Sequence, residues 1–396
     1  MNVVFISPHF PLYFHNFCSR LKDRGVNVLG IGDADYNLIS EETKNSVTEY
    51  YRVSNLENYQ EVENACKFYE SKYGQIDWIE SQNEYWLEME ATLRSKFNIN
   101  TGTKIEYMSD MKYKSKMKDV YKKAKIPVAR YISVKSIETL IDFATNVGYP
   151  IIVKPDNGVG ASSTYRLKNN EEVRSFFNKR NKMVKYIAEE YINGHVETFD
   201  GITDSNKNIL VASSHVMINS IMDCVNEKQE AIFYCQPIKD RDIEEIGKRA
   251  VKAFDTRSRF FHFEFFRLDK DKEGLGRKGD LVGLEVNMRA PGAYMPDIIN
   301  YTYDIDVYTI WADMIIHDKS FFNIDRKYNV GYISRRNELK YKHSLKDIKS
   351  RFKDNVLFDV NVPKVLSDAM GDKVLLVRSR EENELLDMIN LTIEKF

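Results

Sequence analysis

Between Gly148 and Ser163 the chain runs an apolar strand into a lysine and then into a small, flexible loop: Gly148-Tyr149-Pro150-Ile151-Ile152-Val153-Lys154-Pro155-Asp156-Asn157-Gly158-Val159-Gly160-Ala161-Ser162-Ser163. β-Branched residues between two prolines predict a short buried strand over 151–153, which carries the Lys154 ammonium to the mouth of a sheet. Gly158 and Gly160 permit close backbone approach, and Ser162 and Ser163 add hydroxyl donors. A loop needs both if it is to cradle phosphate oxygens. Thr164-Tyr165-Arg166-Leu167 predicts a returning strand, so the loop tips a hairpin. The competing reading is a surface turn with a solvated lysine. The stretch is not a Walker A sequence, which needs Gly-Lys-Ser/Thr, and it is not the dinucleotide G-x-G-x-x-G that opens a helix.

With 396 residues, 43% of them hydrophobic, the chain can build two or three domains with cores of their own and is not disordered. Its 58 basic and 59 acidic residues leave no net field to draw nucleic acid or an anionic membrane, so small molecules are the expected partners. Cys18, Cys66, Cys224 and Cys235 form no C-x-x-C pair and no disulfide framework, as expected in a reducing cytoplasm. Met1 to Ile6 lacks a basic leader region, and no apolar run reaches the length of a membrane span.

The first hundred residues alternate strand and helix. Val3–Ile6, Val26–Ile31 and Ile76–Glu80 read as strands separated by helical patterns, which predicts a Rossmann-like open parallel sheet. The tips Ser7-Pro8-His9-Phe10 and Gln82-Asn83-Glu84 fall at carboxyl ends of strands, where open sheets bind ligands. Seven lysines lie between Lys112 and Lys125, beside an apolar stripe of Met117, Val120, Tyr121 and Ala124. That pattern predicts an amphipathic helix with a solvated basic face. After the clasp, Tyr186-Ile187-Ala188-Glu189-Glu190-Tyr191-Ile192 reads as a strand leading to a hinge at Asn193-Gly194.

Phe260 to Leu268 and Leu281 to Asn287 read as a hairpin. By alternation His262 and Glu264 share one face of the first strand, and Glu285 and Asn287 share one face of the second. Acidic residues that interrupt aromatic strands lose solvation, but they are what a hard divalent cation takes as oxygen ligands. A face open to water is the alternative. Arg289 and the turn Pro291-Gly292 follow at once, placing an always-charged fork beside the acids.

A lysine helix, a Gly-Tyr-Pro strand with Lys154, a Gly/Ser loop, a Glu-Glu-Tyr-Ile hinge and Glu285-x-Asn287-x-Arg289, in that order over residues 1 to 320, resemble the ATP-grasp superfamily, which includes biotin carboxylases, D-alanine ligases and amino-acid ligases. The resemblance implies a mixed α/β and α+β fold. Residues 1–105 would form the Rossmann-like unit, 106–190 the small lobe, 191–322 the central lobe and 323–396 a small C-terminal unit. It implies that Lys114 and Lys154 bind phosphates and that Ser162 and Ser163 cover them. Glu189 would meet the adenine amino group, Tyr191 and Ile192 would read the adenine edge, and Glu197 would hold the ribose. Glu264, Glu285 and Asn287 would be ligands of Mg²⁺, with Mn²⁺ as the alternative ion, and Arg289 would steady an acyl-phosphate. The implied activity is ATP-dependent joining of a carboxylate to an amine, with a homodimer as a candidate assembly. The same fold would also serve a kinase, a carboxylase or a nucleotide-binding protein without turnover. The chain departs from D-alanine ligases by one extra residue between Gly194 and Glu197, and by Gly292-Ala293 where Gly-Gly is common.

Overall fold

The computed structural model describes residues 1–158 and 163–396. Its first sheet is parallel, with β1 (Asn2–Ile6), β2 (Asn27–Gly32), β3 (Glu49–Arg52) and β4 (Trp78–Glu80) in the order β3-β2-β1-β4. The strands of this open sheet are apolar on both faces because helices cover both. Val4, Ile6, Leu29 and Ile31 pack to one side, and Val3, Phe5 and Val28 to the other.

A second sheet of four strands contains β5 (Tyr131–Ser133), β6 (Ile151–Pro155), β7 (Tyr165–Leu167) and β8 (Tyr186–Glu190), ordered β5-β8-β6-β7. β6 and β7 are antiparallel, with Ile151 opposite Leu167, so the predicted hairpin strands pair. The third and largest sheet has eight strands: β9 (Gly194–Thr203), β10 (Ile209–Met217), β11 (Ile232–Gln236), β12 (Arg259–Leu268), β13 (Leu281–Asn287), β14 (Asn329–Arg335), β15 (Val356–Asn361) and β16 (Lys373–Ser379). Their order is β13-β12-β9-β10-β11-β14-β16-β15. The last three strands, from the segment read in sequence as a small C-terminal unit, thus extend the sheet that holds the hairpin. The back of that hairpin is aromatic: Phe261, Phe263 and Phe265 are buried with Phe199, Tyr121 and Phe254 under the helices Lys114–Lys123 and Asp242–Ala253.

The lysine-rich segment departs from expectation in two ways. It is two helices, Ile105–Lys112 and Lys114–Lys123, broken by an extended Tyr113. Its lysines are not all solvated. Lys112, Lys114 and Lys118 are buried, whereas Lys116, Lys122, Lys123 and Lys125 are exposed. The apolar stripe packs on the large sheet, and the neighbouring face of the helix turns the buried lysines toward carboxylates. All four cysteines are buried and unpaired. Among the described residues no helix is long and apolar enough to cross a membrane.

Candidate active site

The polar face of the large sheet is assembled by register. In β12 and β13, Glu264 stands directly opposite Glu285, and His262 opposite Asn287. On the other side of β12, His262 is opposite Asp200 and Glu264 opposite Thr198 of β9. Alternation therefore puts every acid of the hairpin on the face away from the phenylalanine core. Asn287 is 5% exposed, whereas Glu264 and Glu285 keep 27% and 16% of their side chains open.

Lysines reach these acids from the second sheet and from the helix Lys114–Lys123. The Lys114 ammonium lies 3.1 Å from Glu285 Oε1 and donates to the carbonyl oxygen of Gly158 at 3.0 Å, touching both the acid pair and the clasp. From β6, the Lys154 ammonium lies 3.2 Å from Glu189 Oε1 on neighbouring β8, and the fully buried Lys118 lies 3.3 Å from the same oxygen. Burial opposes the Glu189 charge, but two lysines outweigh it and hold the carboxyl at about 2. Burial lowers Lys118, against the pull of Glu189. The charge of Lys154 reaches Glu264 and Glu285 as well, so the two sheets face each other across one cleft.

The remaining candidates are placed as follows. Arg289 donates through Nη2 to Glu84 Oε2 at 3.1 Å, and the Ala290 amide donates to Gln82 Oε1 at 2.7 Å. The strand-end tip Gln82-Asn83-Glu84 thus meets the hairpin's exit turn. Tyr191 stacks under the Arg166 guanidinium, 5.2 Å from ring centre, and its carbonyl oxygen accepts from Lys272 at 3.2 Å. Ile192 is buried among Ala129, Leu268 and Val282. Glu197 is 2% exposed; Arg267 grips its two oxygens at 2.5 and 2.8 Å, and Gln236 donates at 2.9 Å. Burial is outweighed by these partners, and the Glu197 carboxyl sits at about 2. Ser163 is exposed with a left-handed φ of 61°, and Ser162 lies outside the described residues.

Behind Glu264 runs a buried chain of which the sequence pattern shows only His262. His262 Nε2 lies 3.1 Å from Glu264 Oε1, and its Nδ1 bonds Asp200, whose other oxygen is 2.8 Å from His215 Nδ1. Burial would lower His262, but Asp200 and Glu264 on either side raise it to about 9. Burial raises Glu264 in turn, and the bond and charge of His262 reverse that and hold its carboxyl below its ordinary value. For Glu285, burial together with Glu84 and Glu264 prevails over Lys114 and raises the carboxyl. Two opposed carboxylates, one lacking a full share of positive charge, plus an amide oxygen form a hard, oxygen-only donor set. Among the described residues no three His, Cys, Asp or Glu side chains converge as a closed cage. An incomplete set of this kind fits Mg²⁺, which keeps places for water and substrate phosphates.

Comparison with known proteins bears on the fold and on the segment that holds the lysines. The family described as carbamoyl-phosphate synthase L chain, ATP binding domain, matches residues 113–258, the span from the lysine helix to the start of β12. An L-arginine-specific L-amino acid ligase of Bacillus subtilis is 25% identical over 245 residues, which cover 60% of this chain and 57% of that ligase. The crystal structure of L-amino acid ligase from Bacillus licheniformis superposes with a TM-score of 0.73 at 16% identity, over 98% of this chain and 96% of the other. N5-carboxyaminoimidazole synthetase from Staphylococcus aureus, complexed with ADP, gives 0.71 at 16% identity over 99% and 97%. Residues 113–258 thus match an ATP-binding domain family, and the chain as a whole shares the fold of the L-amino acid ligase and the N5-carboxyaminoimidazole synthetase.

Proposed function

We propose that the chain is an ATP- and Mg²⁺-dependent ligase that activates a carboxylate as an acyl-phosphate and passes the acyl group to an amine. The observation that carries this is the convergence of Lys114, Lys154 and Arg289 with Glu264, Glu285 and Asn287 on one cleft. A carboxylate is a poor electrophile because oxide would have to leave. Transfer of the γ-phosphoryl group supplies a better leaving group: the carboxylate oxygen attacks the γ-phosphorus, ADP departs, the amine nitrogen attacks the acyl carbon, and phosphate and a proton leave. Lys114 and Lys154 offset charge on the transferring oxygens, and Arg289, held by Glu84, steadies the acyl-phosphate. Glu264, Glu285 and Asn287 would hold Mg²⁺, which when bound neutralises phosphate charge. Similarity to the L-amino acid ligases supports amino acids as substrates, the near-zero net charge supports small-molecule partners, and four buried, unpaired cysteines support a cytoplasmic location.

The test supplies ATP, Mg²⁺, a panel of carboxylic and amino acids, and hydroxylamine in place of the amine. A hydroxamate with one ADP per product and no AMP is expected. AMP and pyrophosphate would sink the acyl-phosphate route, and a stable phosphorylated product without hydroxamate would make the chain a kinase. Glu285→Gln should keep the fold by circular dichroism while turnover falls on the order of 10²-fold.

A further inference from the structure

Past Arg289 the chain turns through Ala293 and Tyr294, both left-handed at φ 55° and 61°, into the helix Met295–Tyr303. A bulky residue held there is costly, and such positions gather at binding sites. The turn delivers Tyr294 and, in the first helical turn, Asp297. Asp297 Oδ2 accepts from the Tyr308 hydroxyl at 3.1 Å. Burial raises this carboxyl to about 7, and no lysine, arginine or histidine among the described residues counters that. Its charge is felt by four tyrosines, Tyr13, Tyr294, Tyr301 and Tyr308. The rings form a connected wall: Tyr13 and Tyr294 are 5.2 Å apart, Tyr294 and Phe358 5.4 Å, and Tyr301 and Phe358 6.4 Å. Tyr13, Tyr294, Tyr301, Phe358 and Asp297 itself are only partly buried, so the wall and the carboxylate keep open surface. Tyr13 is also within electrostatic reach of Arg289, which sets the group beside the acyl end of the cleft.

An acid near a helix N-terminus has a structural use, since it opposes the positive end of the helix dipole. That use accounts for a carboxylate there but not for a wall of electron-rich rings around it, nor for its lack of a cation. Both features are complementary to a positively charged amine, which gains from aromatic faces and from an unpaired carboxylate. We propose that this cluster binds the ammonium group of an amino-acid substrate, with Asp297 taking the charge and Tyr13, Tyr294, Tyr301 and Phe358 flanking it. The assignment rests on the ligase reading for its substrate class, and it can be tested without turnover.

The twenty L-amino acids and their des-amino counterparts are titrated calorimetrically into the chain loaded with MgADP. At least one amino acid should bind about tenfold or more tighter than the matching des-amino acid. Asp297→Asn, which keeps size and the Tyr308 bond, should bring that ratio to near one with the MgADP affinity unchanged. Tyr294→Leu, which leaves the carboxylate in place, should lower the ratio severalfold and serves as the readout if Asp297→Asn fails to fold. If no amino acid outbinds its counterpart, or if the ratio survives both variants, the proposal is overturned. An amino acid that binds in this way but is never consumed with ATP would uphold the site and strike the ligase reading instead.

Discussion

Lys118 has no exposed surface, and its ammonium pairs with Glu189, which it shares with Lys154. Lys118→Met removes one of the two cations that neutralise Glu189 and leaves the other fully occupied by it, so that less of Lys154 is available to a phosphate. ATP affinity should fall about tenfold, the scale of a charge-assisted contact. Lys122→Ala, an exposed lysine lying 4.3 Å over the Tyr131 ring, should leave the affinity unchanged. Equal effects in a calorimetric titration would show that the basic helix acts through its overall charge. The sequence brought out Lys154 at the end of its strand, and Lys114 only through the family resemblance. It hid Lys118, because a lysine one helical turn beyond Lys114 looks like any other member of a solvated run until the carboxylate 71 residues away is brought to it. Glu197 shows the reverse. Its alternation in a strand was visible, whereas its grip by Arg267, 70 residues later, follows only from the pairing of β9 with β12.

At the scale of elements, the hairpin β12–β13 was legible almost whole. Period-2 alternation dictates that His262 and Glu264 share a face, and the polar connection between the strands makes their antiparallel pairing with Glu285 and Asn287 the simplest outcome. The chain Asp200–His215 behind them was not legible, since nothing local says that β9 lies beside β12 and β10 beside β9. What holds β9 in place is the helix Asp242–Ala253 across its apolar face, and Gly247 is where the two come closest: a Cβ there would stand 2.3 Å from the Phe199 ring. Gly247→Ala sets two effects against each other. Helix propensity favours alanine by about 1 kcal/mol, while overpacking a filled core costs about 1–3 kcal/mol, and Phe199 is fully buried against Phe261. Net destabilisation on the order of 1–2 kcal/mol is expected in urea unfolding, with nucleotide affinity weakened as the strand shifts. A stabilised variant would mean that the ring has room to move.

Across the whole molecule, the parallel sheet is tied to the large sheet by buried charge. Glu80 at the end of β4 lies 3.6 Å from Arg259 at the start of β12 and 3.7 Å from Arg94, and Arg94 bonds Glu90 at 2.8 Å, all of them essentially without exposed surface. Burial and the adjacent Glu80 raise Glu90 to about 8. Arg259→Met should cost about 3–5 kcal/mol, because Glu80 loses a cation inside the protein. Glu80→Leu added to it should restore part of that loss, which a double-mutant cycle by chemical denaturation would measure. Such long-range pairing has no signature in sequence, because each member alone reads as an ordinary charged residue in a helix or strand.

The order of the eight strands also bears on the protein's birth at the ribosome. β11 is flanked on one side by β10, made shortly before it, and on the other by β14, which is not synthesised until residues 329–335. From the completion of Arg289 until β14 emerges, the nascent chain carries every candidate residue of the cleft together with an open strand edge, the kind of edge along which chains pair with one another. Slow translation through the helices Met295–Tyr303 and Val307–His317 is expected to prolong the exposure of that edge.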